Sequence, residues 1–120
     1  MEVLGIGNAI VDILCKVDET FLEKHSLTKS TMKLIEEKEF RSLLSSLNIE
    51  QTTSGGSAAN SIVGLSQLGN KVGFIGKVKS DDLSQKYEDG LVMENVKYLY
   101  SKKNETLPTG TCLILITPDS

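Results

Sequence analysis

The spacing of apolar and polar positions predicts a succession of short strands and helices. Residues 3–7 are a short, mostly apolar run ending in glycine, which reads as a buried strand and a turn. A second extended run covers residues 10–17. Ile10, Val11, Ile13, Leu14 and Val17 are apolar there, and Asp12 stands among them. Asp18 is a good N-cap for a short helix through Phe21, Leu22 and His25. Residues 32–35 read as another strand. Over residues 36–47, Phe40, Leu43, Leu44 and Leu47 recur at three- and four-residue spacing, which marks one apolar helix face. Ser54-Gly55-Gly56 then breaks the chain. Residues 57–68 form a second helix with Ala58, Ala59, Ile62, Leu65 and Leu68 toward a core. Its small residues, Ala58, Ala59, Ser61 and Gly64, let another backbone come close. Gly69 and Asn70 suit its C-terminal end. Residues 72–78 are rich in β-formers. Ser80, Asp81 and Asp82 start a third helix running to about Met93, with Gly90 weakening its last turn. Residues 96–100 and 110–117 are further strands, the second nearly all apolar from Cys112 to Ile116.

This alternation implies an α/β fold with a largely parallel sheet in one domain of 120 residues. Composition agrees: 39% hydrophobic, 24% charged and only 5% aromatic, so Ile, Leu, Val and Ala must build the core. Thirteen basic against sixteen acidic residues leave a net charge of −3, which argues against a nucleic-acid partner. Lys102 and Lys103, the only adjacent basic pair, read as a solvated loop. No apolar run approaches the roughly 20 residues of a membrane span. The N-terminus lacks the basic-then-apolar pattern of a secretory signal. Cys15 and Cys112 have no metal-type spacing and read as free, reduced thiols. A cytoplasmic location follows as an expectation.

The chemistry-bearing residues lie at two glycine motifs. Gly5-Ile6-Gly7-Asn8-Ala9-Ile10 fails the dinucleotide fingerprint, because Ile10 stands where a third glycine is needed, and no P-loop exists. Taken together, Gly7-Asn8-Ala9-Ile10-Val11-Asp12 and Ser54-Gly55-Gly56-Ser57-Ala58-Ala59-Asn60 are better suited to holding hydroxyls. A vicinal diol offers two O–H donors, and one ionised Asp accepts both. Asp12 is suited to this. Gly55 and Gly56 lack a Cβ and lie at a helix N-terminus, so a ligand can approach backbone amides. Asn8 and Asn60 each bring a donor and an acceptor. Plainer readings stand beside these: Asp12 as a turn or cap residue, Gly55 and Gly56 as a strand-to-helix turn, Asn60 as a bond to a neighbouring loop. His25 reads as a surface helix residue, Cys15 and Cys112 as small strand residues, and Phe40 and Phe74 as core.

With Gly76-Lys77-Val78, Asp81-Asp82 and Thr109-Gly110-Thr111-Cys112 added in the same order, the chain resembles the N-terminal part of the ribokinase/PfkB family of carbohydrate kinases. Gly7-Asn8-Ala9-Ile10-Val11-Asp12-Ile13 is most like the adenosine kinase-like branch. The resemblance implies a partial ribokinase-like, Rossmann-like three-layer fold with a small β-sheet lid over the sugar. It places lid segments at about residues 10–17, 31–35, 96–100 and 109–116. It assigns Asn8, Asp12, Gly55, Gly56 and Asn60 to the hydroxyls of a small-molecule nucleoside or sugar, and implies no catalytic residue in this chain. ATP and Mg2+ are implied for the full-length family, with neither expected to bind these residues alone. The family's second signature, which supplies the general base and an anion hole, has no match here, so the chain alone is expected to lack kinase activity. The alternative is a non-catalytic remnant, folding as a homo-oligomer through its lid or an exposed sheet edge. Two departures concern the helix after Asp81: Ser84 and Asn95 stand where the family commonly has glycine.

Overall fold

A computed structural model describes residues 1–102, 104 and 106–119. Lys103, half of the basic pair singled out above, lies outside them, as does Ser120. The chain divides into two compact units, Met1–Asp12 with Thr52–Cys112, and Ile13–Gln51 with Leu113–Ser120. Among the described residues, six strands and four helices follow in the order β1 (Val3–Ile6), β2 (Ile10–Lys16), α1 (Glu19–Lys24), α2 (Glu37–Ser45), β3 (Gln51–Gly55), α3 (Ser57–Gln67), β4 (Val72–Ile75), α4 (Asp82–Met93), β5 (Val96–Tyr98) and β6 (Gly110–Ile116). The strands form two three-stranded sheets, β1-β4-β5 and β3-β2-β6. The first is parallel throughout, with Val3 opposite Val72 and Val72 opposite Val96. The α/β reading from the hydrophobic pattern therefore holds.

The first unit is built on the parallel sheet. Helix α3 packs on β1 and β4, and α4 on β5. Close packing is made possible by missing side chains: a Cβ at Gly5 would lie 2.5 Å from Ile62 Cγ1, and one at Gly7 would lie 2.6 Å from Ala58 Cβ. Val11, Ala59, Ile62, Phe74, Val78, Tyr87, Leu91 and Val96 are buried in this unit. Helix α4 begins where Asp81 accepts the Ser84 N–H at 2.8 Å while Ser84 Oγ accepts the Asp81 N–H at 3.2 Å, a reciprocal capping box. The departure at Ser84 thus completes a helix start. Asn95, the other departure, takes φ of 58°, the left-handed region that glycine occupies most easily.

In the second unit Ile13, Cys15, Leu22 and Leu43 are buried. Asp18 caps α1 by accepting the Phe21 N–H at 2.9 Å. Lys29 pairs with both Glu19 and Asp119, and the Thr117 hydroxyl donates to Asp119 at 2.6 Å. Those partners hold the Asp119 carboxyl down to about 2.

Several expectations are corrected. Residues 32–35 form no strand; Met32 and Leu34 are 85% and 88% exposed, so nothing holds that run extended. The lid segment expected at residues 31–35 is therefore absent as a strand. Val96–Tyr98 pairs with β4 in the parallel sheet and joins no lid strand. In its place the sheet of β2 and β6 takes in β3, a strand the sequence pattern did not mark. Strand β4 ends at Ile75, three residues short of the expected run, and Leu68 is 80% exposed instead of core-facing.

Candidate functional site

Strand β2 alternates cleanly: Val11, Ile13 and Cys15 are buried, while Asp12 is half-buried on the other side with Ile10 and Leu14. That half-burial disfavours the ionised form, so the Asp12 carboxyl titrates above the ordinary 3.8. Among the described residues the carboxylate accepts no hydrogen bond. It lies directly against Gly55, the buried last residue of β3. A Cβ there would sit 2.7 Å from Asp12 Cγ and 2.8 Å from Oδ1. Gly55 is glycine because the carboxylate occupies the space.

Gly56 is the N-cap of α3, with φ of 98° and ψ of 136°. No side chain caps this helix, so its first-turn N–H groups are left for other acceptors. A Cβ on Gly56 would also meet the Asn8 carbonyl oxygen at 2.6 Å. Backbone conformation and space thus both demand glycine at this position. The structure therefore brings together four of the five expected residues, as two pairs: Asp12 with Gly55, and Asn8 with Gly56. The Asn8 side chain is exposed beside the Gly56 contact made by its carbonyl. Asn60 lies one turn along α3, where its N–H donates to the Gly56 carbonyl at 2.9 Å. Its side chain is exposed.

A cavity of about 360 Å³ opens beside Asn8, with Gly7, Ile10, Lys77, Lys79 and Pro108 among its lining residues. That volume is in the range of small-molecule sites, about 300–1,000 Å³. Cys112, an exposed thiol on β6, is pushed above its ordinary value by partial burial and by the negative charge of Asp12. It is consequently a poor nucleophile. His25 is the C-cap of α1, its ring tilted by 43° against Phe21 with the ring centroids 4.4 Å apart. Among the described residues no group of three or more His, Cys, Asp or Glu could hold a metal ion.

Two contributors escaped the sequence reading. Tyr87 of α4 is fully buried, and its hydroxyl reaches the Gly55 carbonyl at 3.5 Å. Burial pushes that phenol to about 12. Gly90, one turn further, leaves room for Ser54: a Cβ there would lie 2.8 Å from Ser54 Oγ. The sequence signal was present in Gly90, whose helix-weakening position has a packing reason.

A parallel α/β unit in which a Gly-Gly turn starts a helix beside the sheet has the fold of the N-terminal portion of a ribokinase-like protein. The chain belongs to the pfkB family of carbohydrate kinases, whose pattern residues 17–120 match. Among solved structures it is similar to a probable sugar kinase of Rhizobium etli and to an adenosine kinase of Sinorhizobium meliloti. Each is 34% identical with a TM-score of 0.84, and the match covers 98% of this chain and 36% of the other. Adenosine kinase 2 of Arabidopsis thaliana is 28% identical over 119 residues, 94% of this chain and 34% of the plant protein. The chain thus spans about a third of the length of the proteins it matches, corresponding to their N-terminal part.

Proposed function

We propose that Asp12, Gly55, Gly56, Asn8 and Asn60 hold the neighbouring hydroxyls of a ribose-containing nucleoside or sugar, as the substrate-binding portion of an ATP-dependent kinase. The observation that carries this reading is the Asp12 carboxylate: half-buried, without a hydrogen-bond donor among the described residues, and pressed against a glycine that leaves it open. A desolvated acceptor in that state gains strongly from two O–H donors on adjacent carbons. Gly56 and the uncapped start of α3 add N–H donors for the hydroxyl oxygens. The cavity beside Asn8 gives the rest of the ligand room.

Adenosine is the substrate we favour, because adenosine kinases recur among the relatives. ATP and Mg2+ belong to the remaining two-thirds of such an enzyme, and the sheet β3-β2-β6 is the part we assign to its lid. The two unpaired thiols suit a reducing, cytosolic setting. The 120 residues alone should transfer no phosphate, since a missing general base alone costs about 100- to 10,000-fold.

The test is titration by NMR with adenosine and with 2′-deoxyadenosine, following Asp12, Gly55 and Gly56. A hydrogen bond to a charged acceptor contributes about 1.5–3 kcal/mol, so the deoxy ligand should bind about ten- to hundredfold more weakly. Equal affinity for both ligands, or shifts confined to residues away from Asp12, refutes the diol clamp. Absence of any binding, together with a stable dimer in solution, favours the non-catalytic oligomeric module instead.

A further inference from the structure

We propose that Tyr87 of α4 is a positioning residue: it fixes the orientation of the Gly55–Gly56 peptide and thereby aims the Gly56 N–H. The purpose of that aim rests on the diol reading above; the geometry does not. Tyr87 is wholly buried, and a buried phenol needs an acceptor. The Gly55 carbonyl, 3.5 Å away, is the acceptor it has. At that length the hydrogen bond is a weak one, so the packing of the ring must hold the hydroxyl in place. The ring cannot swing elsewhere, because Phe74 packs at 6.4 Å and Tyr98 meets it edge-on at 5.9 Å. With its pKa at about 12, the hydroxyl remains a donor at any physiological pH.

The peptide unit between Gly55 and Gly56 is planar and trans, so its C=O and N–H point in opposite directions. Holding the oxygen toward Tyr87 turns the Gly56 N–H away from α4. Two successive glycines have no side chains to resist a flip of that plane, and Gly56 already sits at φ of 98°. The restraint must come from outside the loop. Helix α4 supplies it at two points on one face, Tyr87 against Gly55 and the notch at Gly90 against Ser54.

The experiment is NMR on isotope-labelled chain, comparing wild type with Tyr87→Phe and Gly90→Ala. Helix propensity favours Ala at position 90 by about 1 kcal/mol and offsets the 2.8 Å contact its Cβ would make with the Ser54 hydroxyl, so the second variant tests the loop without removing the buried ring. The expected result is a shifted Gly55 carbonyl carbon and a lowered Gly56 amide order parameter in both variants, with the Phe74 and Val96 amides unmoved. Adenosine affinity should fall about three- to tenfold in Tyr87→Phe, with the ligand-induced change at Asp12 retained at saturation. An unchanged Gly56 amide in both variants overturns the proposal, whatever the ligand does. Shifts at Gly56 matched by equal shifts at Phe74 mark a packing effect and overturn it too. Wild type that fails to bind adenosine while Gly56 loosens in the variants upholds the positioning role and removes the diol reading alone.

Discussion

Gly55→Ala is the sharpest probe of the candidate site. Gly55 does not occupy the left-handed region, so alanine is acceptable to the backbone, and only space opposes it. The new methyl would lie 2.7 Å from Asp12 Cγ and 2.8 Å from Oδ1, well inside contact distance. Overpacking of this kind costs about 1–3 kcal/mol. Lower chain entropy in the unfolded state returns about 0.4–1 kcal/mol. The net expectation is a loss of about 1–2 kcal/mol, read as a lower urea midpoint by circular dichroism. Asp12→Ala removes the obstacle. In the double variant the methyl has room, and its penalty should disappear, giving a coupling energy of about 1–3 kcal/mol between the two positions. Single-variant changes that add within about 0.5 kcal/mol would show that the carboxylate and Gly55 do not touch, and the site would lose its central contact.

Asp12→Asn should stabilise the chain at pH 7 while abolishing ligand binding. The folded-state carboxyl is raised by burial, so its contribution favours folding below the ordinary 3.8 and is lost as pH rises through the raised value. The stability gap between variant and wild type should therefore close on acidification, measured by urea melts across pH. Asp81→Ala should cost about 1–2 kcal/mol and Ser84→Ala less, because Asp81 also accepts from Thr109. Asn95→Gly should be neutral or stabilising by up to about 1 kcal/mol and Asn95→Val destabilising by about 1–2 kcal/mol, checked by thermal melts.

Several strands and helices were legible because each buries one face, but residues 3–7, read as a buried strand, form β1 with Val3, Leu4 and Ile6 exposed. The spacing of Phe40, Leu43 and Leu44 survives in α2, which buries Leu43 and ends before Leu47, and the alternation of Val11, Ile13 and Cys15 survives as β2. Strand β3 was invisible because Gln-Thr-Thr-Ser-Gly carries no apolar residue; it is a strand through its neighbours, not through propensity. Met32 and Leu34 misled for the opposite reason, having strand-like composition without a surface to cover them. At the site, residue types announced Asp12 and the glycine pair. Their contact depends on two strands far apart in sequence, which spacing alone does not reveal. Tyr87 went unmarked, since nothing local in the sequence distinguishes a hydroxyl aimed at a carbonyl from any other tyrosine on a helix.

The Asp81 carboxylate serves two masters at once. It receives the Ser84 N–H at the start of α4, and the Thr109 hydroxyl at 3.0 and 3.1 Å just before β6. Thr109 is itself buried and also accepts the Lys79 N–H at 3.1 Å. One side chain thus works as a clasp between two points 28 positions apart, the start of α4 and the residue before β6, and offsets the entropy of bringing them together. Whatever loosens the clasp unfastens a helix and a strand in a single event, and their amide protons should exchange as one cooperative group.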